Sequence, residues 1–368
     1  MIRTIKESSL HMLKELGITT QIGGSAWRRR RLLILCYHGV SLNDEHLWDP
    51  GLYVPAEHLQ RRLELLHKNR CNVLPLGEAL ERMYRKDLPD RAVVLTFDDG
   101  YHDFMAKAWP LLQPSGYPVT VYLTTGRVHH NLPIVNLLIS YALWLARDRV
   151  LRGTGIVGLD DDYYALATAE QRRFVSKQIS EALLVSGSPD MSKDSIAREI
   201  VDRLDLDYGA LINSRVLTLM KIEDVTRLAR EGVDFQLHTH LHRTPEDPEE
   251  FLRDVLVNAE RIHAMTGTLP RHLCYPSGDY RESYLPVLRR AGLLSATTCD
   301  PDLATRGSDE LLLPRFIDTS SVSNIVFEGW LTGVATCFPR RTRRGGDRDP
   351  LPVAPRQSWA GVLNWSGK

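Results

Sequence analysis

The sequence predicts an α/β fold: a parallel sheet flanked by helices, suited to a barrel of about seven strands, with a long helical insertion. Three observations carry this. From about residue 32, short β-branched runs alternate with helical periodicity. The runs are apolar throughout rather than alternating, as expected of strands covered on both faces. Their number, seven or eight, fits a barrel better than an open sheet, although periodicity alone does not separate the two.

The elements follow in order. Residues 1–31 read as an N-terminal helical segment in which Ile5, Leu10, Leu13 and Leu16 are spaced among charges, without the unbroken apolar core of a signal peptide. R-L-L-I-L-C-Y-H (31–38) is the first strand. Pro55 then opens a helix with Leu59, Leu63 and Leu66 on one stripe. C-N-V-L-P-L (71–76) and R-A-V-V-L-T-F (91–97) are strands separated by the helix G-E-A-L-E-R-M. Y-P-V-T-V-Y-L (117–123) follows a helix holding Trp109, Leu111 and Leu112. The rhythm breaks over 127–216, where helical patterns, the acidic run Asp160 to Asp162 and a turn-rich 186–190 suggest an insertion without a strong strand. At roughly 90 residues it is too long for a bare loop. Strands resume with G-V-D-F-Q-L (232–237), R-H-L-C-Y (271–275) and L-L-S-A-T-T (293–298). The barrel domain thus runs 32–338, interrupted by the insertion 127–216, and the Arg- and Pro-rich stretch 339–368 reads as a flexible tail.

Composition excludes several classes. Lys plus Arg and Asp plus Glu both number 46, so no global field recruits nucleic acid. The five cysteines are scattered without a C-x-x-C pair, which argues against a disulfide framework or a cysteine-rich zinc site and for buried free thiols. The most apolar stretch, Leu132 to Ala146, is shorter than the ~20 residues a membrane span needs, and so predicts a buried helix. A cytoplasmic location is expected. The run Arg28 to Arg31 reads as a solvated charge cluster, with contact to an anionic headgroup as the alternative.

Functional groups on parallel sheets gather where the C-terminal strand ends converge. In this chain those ends carry Tyr37 and His38, then Asp98 and Asp99, then H-T-H-L-H (238–242), then Y-P-S-G-D (275–279). His238 and His242 are four apart, so one helical turn would bring both rings to one side. Two imidazoles and a carboxylate form an N/N/O set suited to a divalent transition ion with open positions, zinc first among them. His240 would face away. Neighbouring carboxylates are costly unless a cation neutralises one of them. If Asp99 joins His238 and His242 as a ligand, Asp98 is left as a general base toward a water acidified by the cation. Taken alone, the Asp-Asp pair would serve equally well as a cap for the following helix.

T-F-D-D-G (96–100), H-T-H-L-H (238–242) and C-Y-P-S-G (274–278), in this order, resemble the NodB-homology polysaccharide deacetylases of carbohydrate esterase family four. Y-H-G-V (37–40) resembles the branch found in exopolysaccharide gene clusters. The similarity spans roughly 32–126 and 217–330. It implies a distorted (β/α) barrel with fewer than eight regular strands and metal-dependent hydrolysis of N-acetyl groups on amino sugars. By motif position it implies Asp98 as base, Asp99, His238 and His242 as metal ligands, and the backbone N–H of Ser277 as donor to the oxyanion.

The chain departs from the family at two places. Where many members carry an arginine that pairs with the base, this chain has Cys274. Where many carry a leucine-x-histidine whose His is the general acid, it reads L-L-L-P-R-F (311–316). His38 is the candidate proton donor, with Asp279 behind it. The leading expectation is a deacetylase acting on an N-acetylated polysaccharide, oligosaccharide or lipid-linked precursor, with peripheral membrane contact compatible with the last. A catalytically silent glycan-binding barrel and an amidase on a non-sugar substrate are the alternatives, and the insertion is expected to act as lid or substrate platform.

Overall fold

The computed structural model describes residues 2–128, 132–185 and 190–338. The expected tail at 339–368 lies outside these residues, as does most of the turn-rich stretch 186–190.

The described residues build one nine-stranded sheet. Its order is Ser295–Thr297, His272–Cys274, Asp234–Leu237, Val119–Leu123, Ala92–Phe97, Arg31–Tyr37 and Ala304–Thr305, with Asn72–Val73 beside Ala92–Phe97 and Phe316–Ile317 beside Arg31–Tyr37. All seven expected strands are present, though several are shorter; of 71–76 only Asn72–Val73 pairs, because Leu76 already begins the next helix, Leu76–Arg85. Every pairing is parallel except that of Ala304–Thr305 with the start of the first strand.

Besides Gly39–Val40 and Tyr53–Val54, which pair in a small sheet of their own, two strands of the main sheet were missed by sequence reasoning. Ala304–Thr305 and Phe316–Ile317 have two residues each, too short to show a period. Their segment nevertheless matters for closure. Leu313 exchanges hydrogen bonds with Ala296 of the strand Ser295–Thr297 and with Thr298 just past it (2.9 and 2.8 Å), and Asp318 N–H then donates to Cys36 O of the first strand at 3.0 Å. The stretch 310–318 therefore stitches the two ends of the sheet together, giving a distorted barrel.

Strand alternation sorts the side chains into two faces. Leu33, Leu35, Val93, Leu95, Phe97, Val121, Phe235 and Leu273 pack under the outer helices. These include Ala56–Lys68, Ile222–Arg230, Pro248–Thr266 and Asn324–Thr332. Leu32, Ile34, Val94, Tyr122, Cys274 and Leu313 form the opposite, inner cluster. Continuing the inner series past the strand ends (34, 36, 38; 94, 96, 98; 236, 238) leads to His38, Asp98 and His238 at one mouth.

The insertion has a core of its own, formed by Val135, Ile139, Ala142, Leu151, Ile179, Ile200 and their neighbours. The apolar stretch supplies the buried helix Val135–Leu145. Contrary to the sequence reading, strand structure does occur here: Val150–Arg152 and Tyr163–Ala165 pair antiparallel. The unit docks beside the mouth, where Tyr141 hydroxyl donates to Asp44 (2.5 Å) and Trp48 Nε1 donates to Ser140 (3.3 Å). The N-terminal segment forms the helices Ile2–Glu15, Ile18–Gly23 and Ala26–Arg29. Among the described residues no helix is long and apolar enough to cross a membrane.

Candidate active site and metal centre

Strand register sets the first pair of groups. Tyr37 lies opposite Phe97, so His38 and Asp98 leave adjacent strands level with each other, and Asp98 N–H donates to Tyr37 O at 2.9 Å. The chain then turns sharply. Asp99 has φ +68° and Gly100 φ +81°, and a Cβ on Gly100 would stand 2.2 Å from Leu123 Cδ1. This turn is strapped by the chain returning from the insertion: Met220 N–H donates to Gly100 O and His102 N–H to Thr218 O. Neither Asp98 nor Asp99 caps the following helical stretch, which begins at His102. The capping alternative for the carboxylate pair is thereby removed.

The turn aims Asp98 and Asp99 at different partners. Asp99 Oδ1 lies 3.1 Å from Nε2 of both His238 and His242. The two imidazole centroids are 4.9 Å apart. The rings meet without the helical turn that their spacing suggested: residues 238–242 are a loop in which Thr239 (φ +63°) and His242 (φ +52°) are left-handed. His240 is turned away, its Nδ1 2.9 Å from Thr125 Oγ1.

A carbonyl only accepts, so the 2.8 Å contact of His238 Nδ1 with Cys274 O places the proton on Nδ1 and leaves the Nε2 lone pair facing Asp99. Lone pair against carboxylate is repulsive unless a positive charge lies between them. Asp99 Oδ1 is buried and lacks a well-formed hydrogen bond. Burial by itself would raise the Asp99 pKa, yet the two imidazoles hold it well below the usual carboxylate range. Burial likewise disfavours an imidazolium at His238, but neighbouring Cys274 and Asp99 push its pKa well up. The charge and lone-pair arrangement of the pocket thus suits a cation. Donors ~3.3 Å apart are what metal–ligand bonds of ~2.0–2.1 Å in a tetrahedron require, so Asp99, His238 and His242 fit a divalent ion.

Asp98 faces a different cation. Arg315 donates to both its oxygens, Nη1 to Oδ1 and Nη2 to Oδ2, each at 2.8 Å. The guanidinium is itself fully buried and anchored by Nε donating to Thr298 O at 3.0 Å. Burial alone would raise the Asp98 pKa, but Arg315 overrides it and keeps the carboxyl ionised well below the usual range. The thiols of Cys36 and Cys274 lie 3.4 Å from Oδ2. The arginine that seemed missing at Cys274 is therefore present, supplied from the closing segment 310–318. Sequence reasoning passed over it because L-P-R-F was searched only for a histidine.

The remaining candidates gather at the same mouth with looser geometry. His38 Nε2 is 3.7 Å from Asp98 Oδ2, beyond hydrogen-bond distance, and the side chain is partly open to solvent. Ser277 (φ +57°) and Gly278 (φ +72°) form a tight left-handed turn after the strand His272–Cys274. A Cβ on Gly278 would come within 2.6 Å of Cys299 Cβ. Asp279 follows, exposed. All five cysteines are free; Cys36 and Cys274 are buried, whereas Cys337 is exposed, against the expectation of buried thiols throughout.

The supports of the metal loop come from one helix. Asn258, fully buried on Pro248–Thr266, accepts from His238 N–H (3.0 Å) and donates to Leu123 O and Thr125 Oγ1 (3.0 and 2.9 Å). One turn earlier Asp254 accepts from the N–H groups of His240 and Leu241. Neither was singled out from sequence, because a polar residue on an apolar helix face carries no local mark of its partners.

The chain is similar in sequence and fold to polysaccharide deacetylases. Residues 85–149 and 208–296 match the family model described as polysaccharide deacetylase. YxkH of Bacillus subtilis, named as a polysaccharide deacetylase, is 31% identical over 114 residues, 29% of this chain and 39% of that protein. The poly-β-1,6-N-acetyl-D-glucosamine N-deacetylase of Escherichia coli K12 is 30% identical over 93 residues, 25% of this chain and 14% of its own length. This chain thus spans well under half of either relative. Among solved structures, the deacetylase PplD of Streptococcus pyogenes in complex with acetate superposes with TM-score 0.54 at 16% identity, covering 82% of this chain and 97% of that one. At that identity the likeness speaks for the fold.

Proposed function

We propose that this chain, which matches the polysaccharide deacetylase family model over residues 85–149 and 208–296, is a metal-dependent hydrolase that removes N-acetyl groups from an amino sugar in a polysaccharide or oligosaccharide. The observation that carries the reading is the division of labour between adjacent carboxylates. Asp99 faces two imidazoles at 3.1 Å, while Asp98 is gripped by Arg315 at 2.8 Å.

A divalent ion held by Asp99, His238 and His242 would supply Lewis-acid polarisation of the amide and acidify a water. The residues of the chain do the rest. Asp98, kept ionised by Arg315, takes a proton from the attacking water; the arginine also fixes the orientation of the carboxylate. The N–H of Ser277 donates to the oxyanion that forms as water adds to the acetamide carbon, a contribution typically of about 2.7–4 kcal/mol. His38, at the mouth beside Asp98, delivers a proton to the departing amine. The C–N bond breaks, leaving acetate and a free amino sugar. The insertion, docked beside the mouth through Asp44 and Trp48, supports a role as substrate platform.

The silent-barrel alternative drew its force from an absent arginine and an absent histidine, and Arg315 supplies the first of these. The test is acetate release from N-acetylglucosamine oligomers by the full chain, with metal content measured in parallel. Asp98→Asn should lose about 10²-fold or more of the rate while retaining metal, and a chelator should stop release until a divalent ion is restored. Release that survives both treatments would overturn the proposal.

A further inference from the structure

The barrel end away from the active site carries a cavity that the hydrolase chemistry does not use. Arg31 opens the first strand and pairs with Thr305, so it sits six residues, ~20 Å, from the strand end at Tyr37 that leads to His38. Beside it is a cavity of 470 Å³ lined by Ala26, Trp27, Arg30, Arg31, Thr305 and Arg306, with Gly307 at its edge. Sequence reasoning treated Arg28 to Arg31 as one cluster, but the fold separates it. Arg28 is fully buried and donates to Leu331 O, Arg31 O and Ala92 O, which makes it a structural tie. Arg29 is exposed 3.4 Å from Asp90. Only Arg30 and Arg31 reach the cavity, where Arg306 joins them from the turn after Ala304–Thr305.

The lining has the features of an anion receptor. The Arg31 guanidinium stacks 4.0 Å above the Trp27 ring and donates from Nη1 to Trp27 O at 2.7 Å, which holds its planar fork in place. Arg30 and Arg306 are exposed, and among the described residues neither has an ion-pair partner. Asp302 acts on Arg31, while three guanidinium groups line the cavity. Three guanidinium forks around a cavity of ligand size suit tetrahedral oxyanions, which they bind bidentately. We infer that this cavity binds a phosphate ester, borne by a lipid headgroup or by a soluble molecule, and so anchors or orients the chain with its catalytic mouth facing away. This inference is independent of the deacetylase reading.

The test uses the full chain with two probes: glycerol 3-phosphate by calorimetry, and sedimentation with phosphatidylcholine vesicles with or without phosphatidylglycerol. The site predicts saturable, salt-sensitive binding to at least one phosphate probe, with the vesicle and soluble arms telling the two sources apart. Arg30→Gln with Arg306→Gln, both at exposed positions, should weaken that binding about tenfold or more and leave acetate release unchanged. Equal retention on neutral and anionic vesicles without glycerol 3-phosphate binding, undiminished binding by the double variant, or no binding to either probe would each overturn the inference.

Discussion

Arg315 and Asp98, 217 residues apart in sequence, form a two-pronged ion pair sealed from solvent, with both N–O distances at 2.8 Å. The pairing follows from closure of the barrel: the segment that joins the last strand to the first carries the arginine across the mouth to the carboxylate. Removing one partner of a buried pair strands the other charge, which typically costs about 3–5 kcal/mol. Arg315→Met is therefore expected to lower the unfolding free energy by that amount and to raise the Asp98 pKa, moving the acid limb of the rate profile to higher pH. Arg315→Lys retains charge but not the fork, and should fall between the two. Denaturant titration and pH–rate profiles of the three proteins check this.

Asn258 predicts a separable effect on metal affinity. Its amide joins His238 N–H, Leu123 O and Thr125, and Asn258→Ala would leave these buried groups unpaired. The expected result is a ~10–100-fold weaker metal affinity, typical of lost support behind a ligand, with activity recovered at high metal concentration. Metal titration followed by activity measures it; unchanged affinity would show that the loop holds itself.

At Gly278, both the left-handed φ and the 2.6 Å approach to Cys299 exclude a side chain. Gly278→Ala should displace the turn bearing the Ser277 N–H and reduce kcat by about 10²-fold, in keeping with loss of an oxyanion donor, with KM little changed. Steady-state kinetics distinguishes this from general unfolding, which would lower active-site concentration and be visible in the far-ultraviolet dichroism.

His272 predicts a pH dependence of stability away from the catalytic groups. It is buried at the start of its strand against Ser295 Oγ (2.8 Å), and burial, aided by Arg271, pushes its pKa from 6.5 down to about 4. The unfolded chain therefore binds the proton more readily. The associated stability is fully present above pH 6.5, falls as pH drops through that value, and stops falling near 4. Its size is at most about 3 kcal/mol. His272→Gln should flatten the unfolding free energy across this window, which chemical denaturation at a series of pH values reads directly.

Much of the site was legible because strand periodicity is local. The apolar runs 31–37, 92–97 and 234–237 locate the sheet, and the polar residues just past their ends locate the mouth: His38, Asp98, Asp99 and His238. The grouping of Asp99 with two imidazoles was also readable, since H-T-H-L-H keeps His238 and His242 within one short loop. Its conformation was not: a four-residue spacing suggested a helical turn, and the chain used left-handed backbone at Thr239 and His242, in a loop held by hydrogen bonds to Asp254 and Asn258 on the helix Pro248–Thr266 that follows it.

By itself, then, the amino-acid order determined the strand-and-helix rhythm and the polar groups at the strand ends, because each depends on neighbours a few residues away. Tertiary structure alone decided that Arg315 would replace the arginine absent at Cys274, that Arg28 would be buried while Arg30 and Arg306 stayed open, and that 310–318 would close the barrel. These relationships join residues whose sequence surroundings do not mark them. They are selected by the global requirement that every buried charge and strand edge find a partner.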